Sequence, residues 1–173
     1  MNARDVAFAG LFAALTAVGA QIAVPIGPVP FTLQVLLVLL SGLVLGSRLG
    51  LVSQLVYLVA GAVGFPVFAE FSGGFAHIYG PTGGYLLAFP IAAFLAGYIT
   101  EKTGESVWGM TAGSLFGVVV IYALGWLRLC LFMAGDFGKA FKLGVLPFVP
   151  FDVLKAGIAV GVAKTVRKMV EVA

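Results

Sequence analysis

VAFAGLFAALTAVGAQIAVPIGPVPFTLQVLLVLLSGLVLGS, residues 6–47, contains no Asp, Glu, Lys, Arg or His. Its 42 residues are about twice what one helix needs to cross a hydrocarbon core of roughly 30 Å. The stretch therefore predicts two spans, broken at Val24-Pro25-Ile26-Gly27-Pro28-Val29-Pro30. Three prolines there remove three amide donors and cannot continue a helix. A first helix is predicted over 6–24, a loop over 25–30 and a second helix over 31–47.

The rest of the chain has the same character. Of 173 residues, 61% are apolar and 10% charged, with a mean hydropathy of +1.13. Soluble domains hold roughly 45–50% and 25%. So few charges cannot cover a water-facing surface, which excludes a soluble globule and a disordered chain. Arg48 ends the second segment, and a third helix is predicted over 49–63. Residues 64–83, rich in Gly, Pro and aromatics, read as a long ordered loop. Further helices are predicted over 84–100 and 106–127, the latter ending at Arg128. Residues 129–149 read as a loop with a short interfacial helix, and 150–168 as the last span. The expectation is an all-α membrane protein: one domain over 1–173, with six transmembrane helices in one bundle. The lone Cys130 excludes an intrachain disulfide. A scattered net charge of +3 gives no basis for a nucleic-acid partner.

Basic residues orient the chain. Arg4, Arg48, Lys102, Lys164, Arg167 and Lys168 fall on one side, and Arg128, Lys139 and Lys142 on the other. Both termini are therefore expected in the cytoplasm, with residues 64–83 outside the membrane. Ala17-Val18-Gly19-Ala20 resembles a signal-peptide cleavage site. The nearly neutral start and the long apolar run argue instead for a retained helix. The connections on the outer side are long or rich in Pro and Gly, and loops on a rigid scaffold commonly carry binding residues. The site is expected there.

Small residues recur every four positions: Ala9, Ala13 and Ala17; Ala88, Ala92 and Ala96; Gly109, Gly113 and Gly117; Gly157 and Gly161. Such faces let helix backbones approach closely in lipid, mostly within one bundle. One face could instead dock a separate protein. In the last span, Asp152 and Lys155 are three apart and share a helix face. Ionisable groups inside a span are expensive and mark candidate sites, although an Asp cap paired with a snorkelling Lys is the plainer alternative. His77 has no Cys or second His nearby, so no metal site is expected. Gln21, Gln34 and Gln54 can bridge helices.

No phosphate-binding loop of the form G-x-x-x-x-G-K-[ST] occurs, nor any G-x-S-x-G or H-E-x-x-H motif. The chain is not expected to be an enzyme or to hydrolyse ATP. No ring of like charges suggests a channel and no inverted repeat suggests a carrier. A binding protein embedded in the bilayer remains.

Three segments carry a resemblance. They are Gly27-Pro28-Val29-Pro30-Phe31-Thr32-Leu33-Gln34; Gly64-Phe65-Pro66-Val67-Phe68-Ala69 with Gly80-Pro81-Thr82-Gly83-Gly84-Tyr85-Leu86; and Phe151-Asp152-x-x-Lys155. Together they resemble the BioY family, the biotin-binding S-components of energy-coupling factor (ECF) transporters, over nearly the whole chain. The resemblance implies a six-helix bundle that captures biotin from outside. A transmembrane coupling protein and two cytoplasmic ATPases would power its release inwards. It implies biotin as ligand, with no cofactor. Asp152 would accept a ureido N–H, and Lys155 would meet the ureido oxygen or the carboxylate. Phe31, Gln34, Phe65, Phe68 and Tyr85 would line the pocket, with Trp126 either a wall or ordinary packing. Gly83 and Gly84 would bring backbone close to the ligand. Glu70, His77 and Tyr79 are candidates for a polar contact from the 64–83 loop. The Ala9, Ala13 and Ala17 face resembles the one such proteins use to dock the coupling protein. An S-component for another small vitamin and a self-sufficient carrier are the competing readings.

Overall fold

The computed structural model describes residues 1–172, with side chains through Met169. Helix α1 (Ala3–Gln21) opens with a capping box, in which the Asn2 side chain and Asp5 backbone, and the Asp5 side chain and Asn2 backbone, bond reciprocally. The chain then forms a two-residue hairpin, β1 (Ala23–Val24) against β2 (Phe31–Thr32), with Ala23 opposite Thr32 and Val24 opposite Phe31. Helices α2 (Gln34–Leu45) and α3 (Ser47–Ala62) follow, separated by Gly46 at φ 84°. A 3₁₀ turn (Ala69–Phe71) and the one-turn α4 (Ala76–Tyr79) order the long loop. The chain ends with α5 (Gly83–Lys102), α6 (Val107–Phe132), α7 (Phe137–Gly144) and α8 (Val149–Val172).

The predicted second span is the main revision. Helix α2 has 12 residues, a rise of about 18 Å, well short of a bilayer core. Phe31 and Thr32, assigned to the helix by their apolar setting, pair as strand instead. This short element is tolerated because it sits inside the bundle. No residue of α2 is exposed, and it packs on α1, α3, α5, α6 and α8. Non-helical backbone at membrane depth survives only where protein surrounds it. Helices α1, α5 and α6 are long and apolar enough to cross a membrane, and the bent pair α7–α8 supplies a fourth candidate. Leu15, Val18, Ile91, Phe116, Val119 and Ile158 are among the large apolar side chains exposed on these helices, the surface expected of a lipid-facing protein.

Close helix approach explains the glycine content. A Cβ on Gly42 would collide with the Ala93 carbonyl of α5, and one on Gly113 would meet the Ala96 carbonyl. Ala88, Ala92 and Ala96 are fully buried, so these small faces of α5 and α6 serve packing within the chain. One core cluster, centred on Tyr57, Phe68 and Phe89, lies at the hairpin end. A second, built on Leu39, Leu43, Met110 and Ala159, fills the other end. There Glu101 accepts from the Ser47 backbone N–H at 2.6 Å and its hydroxyl at 2.8 Å, which caps α3 with a carboxylate. Arg167 pairs with Glu105 and donates to the Leu43 carbonyl at the end of α2.

The Ala9, Ala13 and Ala17 stripe needs correcting in position. Ala9 is 2% and Ala13 7% exposed, and Ala17 is half-buried. These residues pack inside the bundle, where α1 crosses α2 and α3. The exposed small residues of α1 are Ala3, Ala7, Gly10 and Ala14. On α8, Gly157 and Gly161 face open space.

Candidate ligand-binding site

At the hairpin end the helices part around a cavity of about 550 Å³, within the roughly 300–1,000 Å³ of small-molecule sites. The proline turn at 25–30 forms one wall, because its fixed φ angles and missing amides hold it out of any helix. The 3₁₀ turn and α4 form another, and α5, α6 and α8 close the base.

The charged pair lies at that base. Val149 and Pro150 open α8 so that Asp152 falls in its first turn, near the positive end of the helix dipole. Lys155, one turn on, donates to Asp152 Oδ1 at 2.7 Å, with both side chains buried. It also donates to the Thr32 carbonyl of β2 at 2.7 Å, and its ammonium lies 4.1 Å from the Phe31 ring centroid. Tyr122 of α6 donates to Asp152 Oδ2 at 2.6 Å. A buried ion pair survives only when its remaining donors and acceptors are also satisfied, and each carboxylate oxygen here has a partner.

A second chain of hydrogen bonds supports the hairpin. Thr32 Oγ1 donates to Gln34 Oε1 at 2.9 Å, Gln34 Nε2 to the Tyr57 hydroxyl at 2.6 Å, and that hydroxyl to the Val67 carbonyl at 3.0 Å. Val67 precedes Phe68, whose ring is 2% exposed and stands edge-on to Tyr57. The strand that receives Lys155 is thereby tied to the loop forming the opposite wall.

The expected site residues divide. Asp152, Lys155, Gln34, Phe68 and Tyr85 line the cavity. Tyr85 also donates to the Gly144 carbonyl at 2.7 Å, which ties α5 to α7. Phe31 backs Lys155 and meets Phe151 edge-on instead of lining the space. Phe65 and Tyr79 are 62% and 63% exposed and lie outside it. Gly83 and Gly84 also lie outside the cavity. A Cβ on Gly83 would strike the Ile78 carbonyl and one on Gly84 the Leu124 carbonyl, so both glycines serve helix packing. Of the loop candidates, Glu70 and His77 line the cavity. Trp126 packs on Phe137 and Phe141 and donates to the Phe137 carbonyl at 3.0 Å, ordinary packing against α7. Tyr122 was missed. Its signal was a phenol in an otherwise apolar span, where the hydroxyl must find a partner.

A satisfied ion pair beneath an apolar cavity, closed by loops at one end of a lipid-facing bundle, defines a membrane-embedded small-molecule binding protein. Residues 1–172 match the model of the BioY family, and the chain belongs to that family. It is 55% identical to a probable biotin transporter BioY of Pyrococcus horikoshii, over 96% of this chain and 98% of that one. It is 45% identical to the biotin transporter BioY of Thermotoga maritima, over 96% and 97%. The fold matches a crystal structure of the S-component for biotin from an ECF-type ABC transporter with a TM-score of 0.90 and 27% identity, covering 97% of this chain and 95% of that chain.

Proposed function

We propose that this chain is the biotin-binding membrane subunit of an ECF-type uptake transporter, a binding and transport protein with no catalytic role. The observation that carries this reading is the Asp152–Lys155 pair, held by Tyr122 and Thr32 at the base of a cavity of ligand size in a BioY-family fold. Biotin's ureido group has two N–H donors and one oxygen. Asp152 accepts from the donors, and Lys155 has one ammonium hydrogen beyond its two bonds for the oxygen. A ligand carboxylate beside Asp152 would place two like charges together in a low-dielectric site, so the ureido end points down and the valerate toward the mouth.

The chain crosses the plasma membrane as a six-span bundle with α2 as its sheathed member, both termini cytoplasmic and the cavity opening outside. The division of basic residues supports this orientation. Transport requires a transmembrane coupling protein and two cytoplasmic ATPases, because this chain carries no nucleotide-binding loop. The exposed Ala3, Ala7, Gly10 and Ala14 stripe of α1 is the face for the coupling protein. The direct test is titration of purified, detergent-solubilised protein with biotin, alongside other small vitamins. Tight biotin binding is expected; no biotin binding with tight binding of another vitamin would replace this reading.

A further inference from the structure

We propose that Gln21 is a positioning residue for the binding site: from the last turn of α1 it holds the turn at 68–72 in the strained form that seats Phe68 in the cavity wall. The inference rests on the biotin reading above. Phe68, Ala69, Glu70 and Ser72 of this turn line the cavity, whereas Gln21 and Phe71 do not. The Phe68 ring is 2% exposed, stands edge-on to Tyr57 and fills the space in front of Gly61, where any Cβ would strike it. A ring fitted this tightly depends on the backbone that carries it.

That backbone is not in a conformation its residues prefer. Glu70 and Phe71 follow one another at φ 60° and 54°, in the left-handed region that is costly for a residue bearing a Cβ and open to glycine. Phe71 projects outward at 73% exposure, so side-chain packing does not hold it there. Hydrogen bonds do. Within the turn, the Phe68 N–H donates to the Ser72 carbonyl at 2.9 Å, and the Ser72 N–H and hydroxyl donate to the Ala69 carbonyl at 3.2 and 2.7 Å. From outside, the half-buried Gln21 carboxamide spans the turn. Its Nε2 donates to the Phe68 carbonyl at 3.0 Å, and its Oε1 accepts from the Phe71 N–H at 2.8 Å. The second amide hydrogen goes to the Ala17 carbonyl at 3.0 Å, which fixes the side chain against its own helix. Carbonyls only accept and an N–H only donates, so these partners permit one orientation of the carboxamide. Among the described residues, no other side chain bonds to the Phe68 carbonyl or the Phe71 amide.

The experiment follows biotin binding to wild-type protein, Gln21→Met, Phe71→Asn and the double variant, with association and dissociation rates measured separately. Gln21→Met keeps the length of the side chain and removes its bonds to the turn. If the turn then occupies its binding form about one-tenth of the time, affinity should fall about tenfold, chiefly through slower association. Asn tolerates a positive φ better than Phe does. Phe71→Asn alone should therefore bind biotin as wild-type does, and in the double variant it should restore part of the loss. Unchanged affinity in Gln21→Met, or no recovery in the double variant, would overturn the inference. Hydrogen exchange on wild-type protein needs no variant to fold. The Phe71 amide should exchange slowly although its side chain is exposed, and fast exchange there would equally overturn the inference. Wild-type protein that protects the Phe71 amide but binds no biotin would overturn the ligand identity instead, so the two failures are distinguishable.

Discussion

The Tyr122 hydroxyl and Asp152 Oδ2 meet at 2.6 Å across the α6–α8 interface, on the opposite side of the carboxylate from Lys155. A carboxylate gripped from both sides cannot swing, so under the proposed reading the acceptor would be fixed before the ligand arrives. Tyr122→Phe keeps the ring and removes the grip. Isothermal titration should show biotin bound roughly tenfold more weakly, with the protein still folded. Unchanged affinity would make the hydroxyl a purely structural partner.

The ion pair itself separates binding from stability. If Lys155 meets the ureido oxygen as proposed, Lys155→Met should remove a charge-assisted hydrogen bond of about 1.5–3 kcal/mol, or roughly a 10- to 150-fold loss of affinity. It also leaves Asp152 buried without its cation, so the melting temperature should fall. Asp152→Asn should likewise weaken binding and lower stability. The double variant should regain much of the stability and none of the affinity. Near-normal affinity in folded Lys155→Met would remove the pair from the site.

Two alanines of α1 provide opposite controls for docking. Ala13→Leu inserts bulk into the buried crossing and should destabilise the chain by about 1–3 kcal/mol, read by thermal melting. Ala7→Trp projects from the exposed side and should leave folding and biotin titration unchanged. It should block close approach of a partner helix, lowering co-purification with the coupling protein and biotin uptake. Normal uptake by Ala7→Trp would move the docking face elsewhere.

Membrane orientation is testable with thiols. In a Cys130→Ala background, Ala76→Cys in the loop should react with an impermeant maleimide added outside intact cells. Lys102→Cys should react only after the cells are opened. Both positions are exposed. The reversed pattern would invert the topology.

Where helices meet lipid, the sequence was legible. Helices α1, α3, α5, α6 and α8 begin or end within a few residues of the uncharged runs, because apolarity and span length are the same constraint in a bilayer. The Asp152–Lys155 face was legible because charge in a span is conspicuous. The start of α2 was placed three residues early, over Phe31 and Thr32, because a sheathed strand and a lipid-facing helix are equally apolar. Helix α6 outran its predicted end at Arg128 because the guanidinium folds onto the Tyr79 and Gly80 carbonyls and lets the helix continue. Gly83 and Gly84 were assigned to ligand approach because a sequence marks a close contact without naming what approaches. Ala9 and Ala13 show the same limit, since four-residue spacing does not say which side of a helix faces in.

Because no residue of α2 is exposed, the strand and helix beneath the cavity are suspended within a sleeve of other helices. Thinner or thicker membranes would strain α1, α5, α6 and α8 first, and would reach Thr32 and Gln34 only through them. The depth of the ligand chamber is thus a property of the polypeptide and not of its surroundings. A cell that remodels its lipid chain length with temperature would leave the chamber's dimensions nearly untouched.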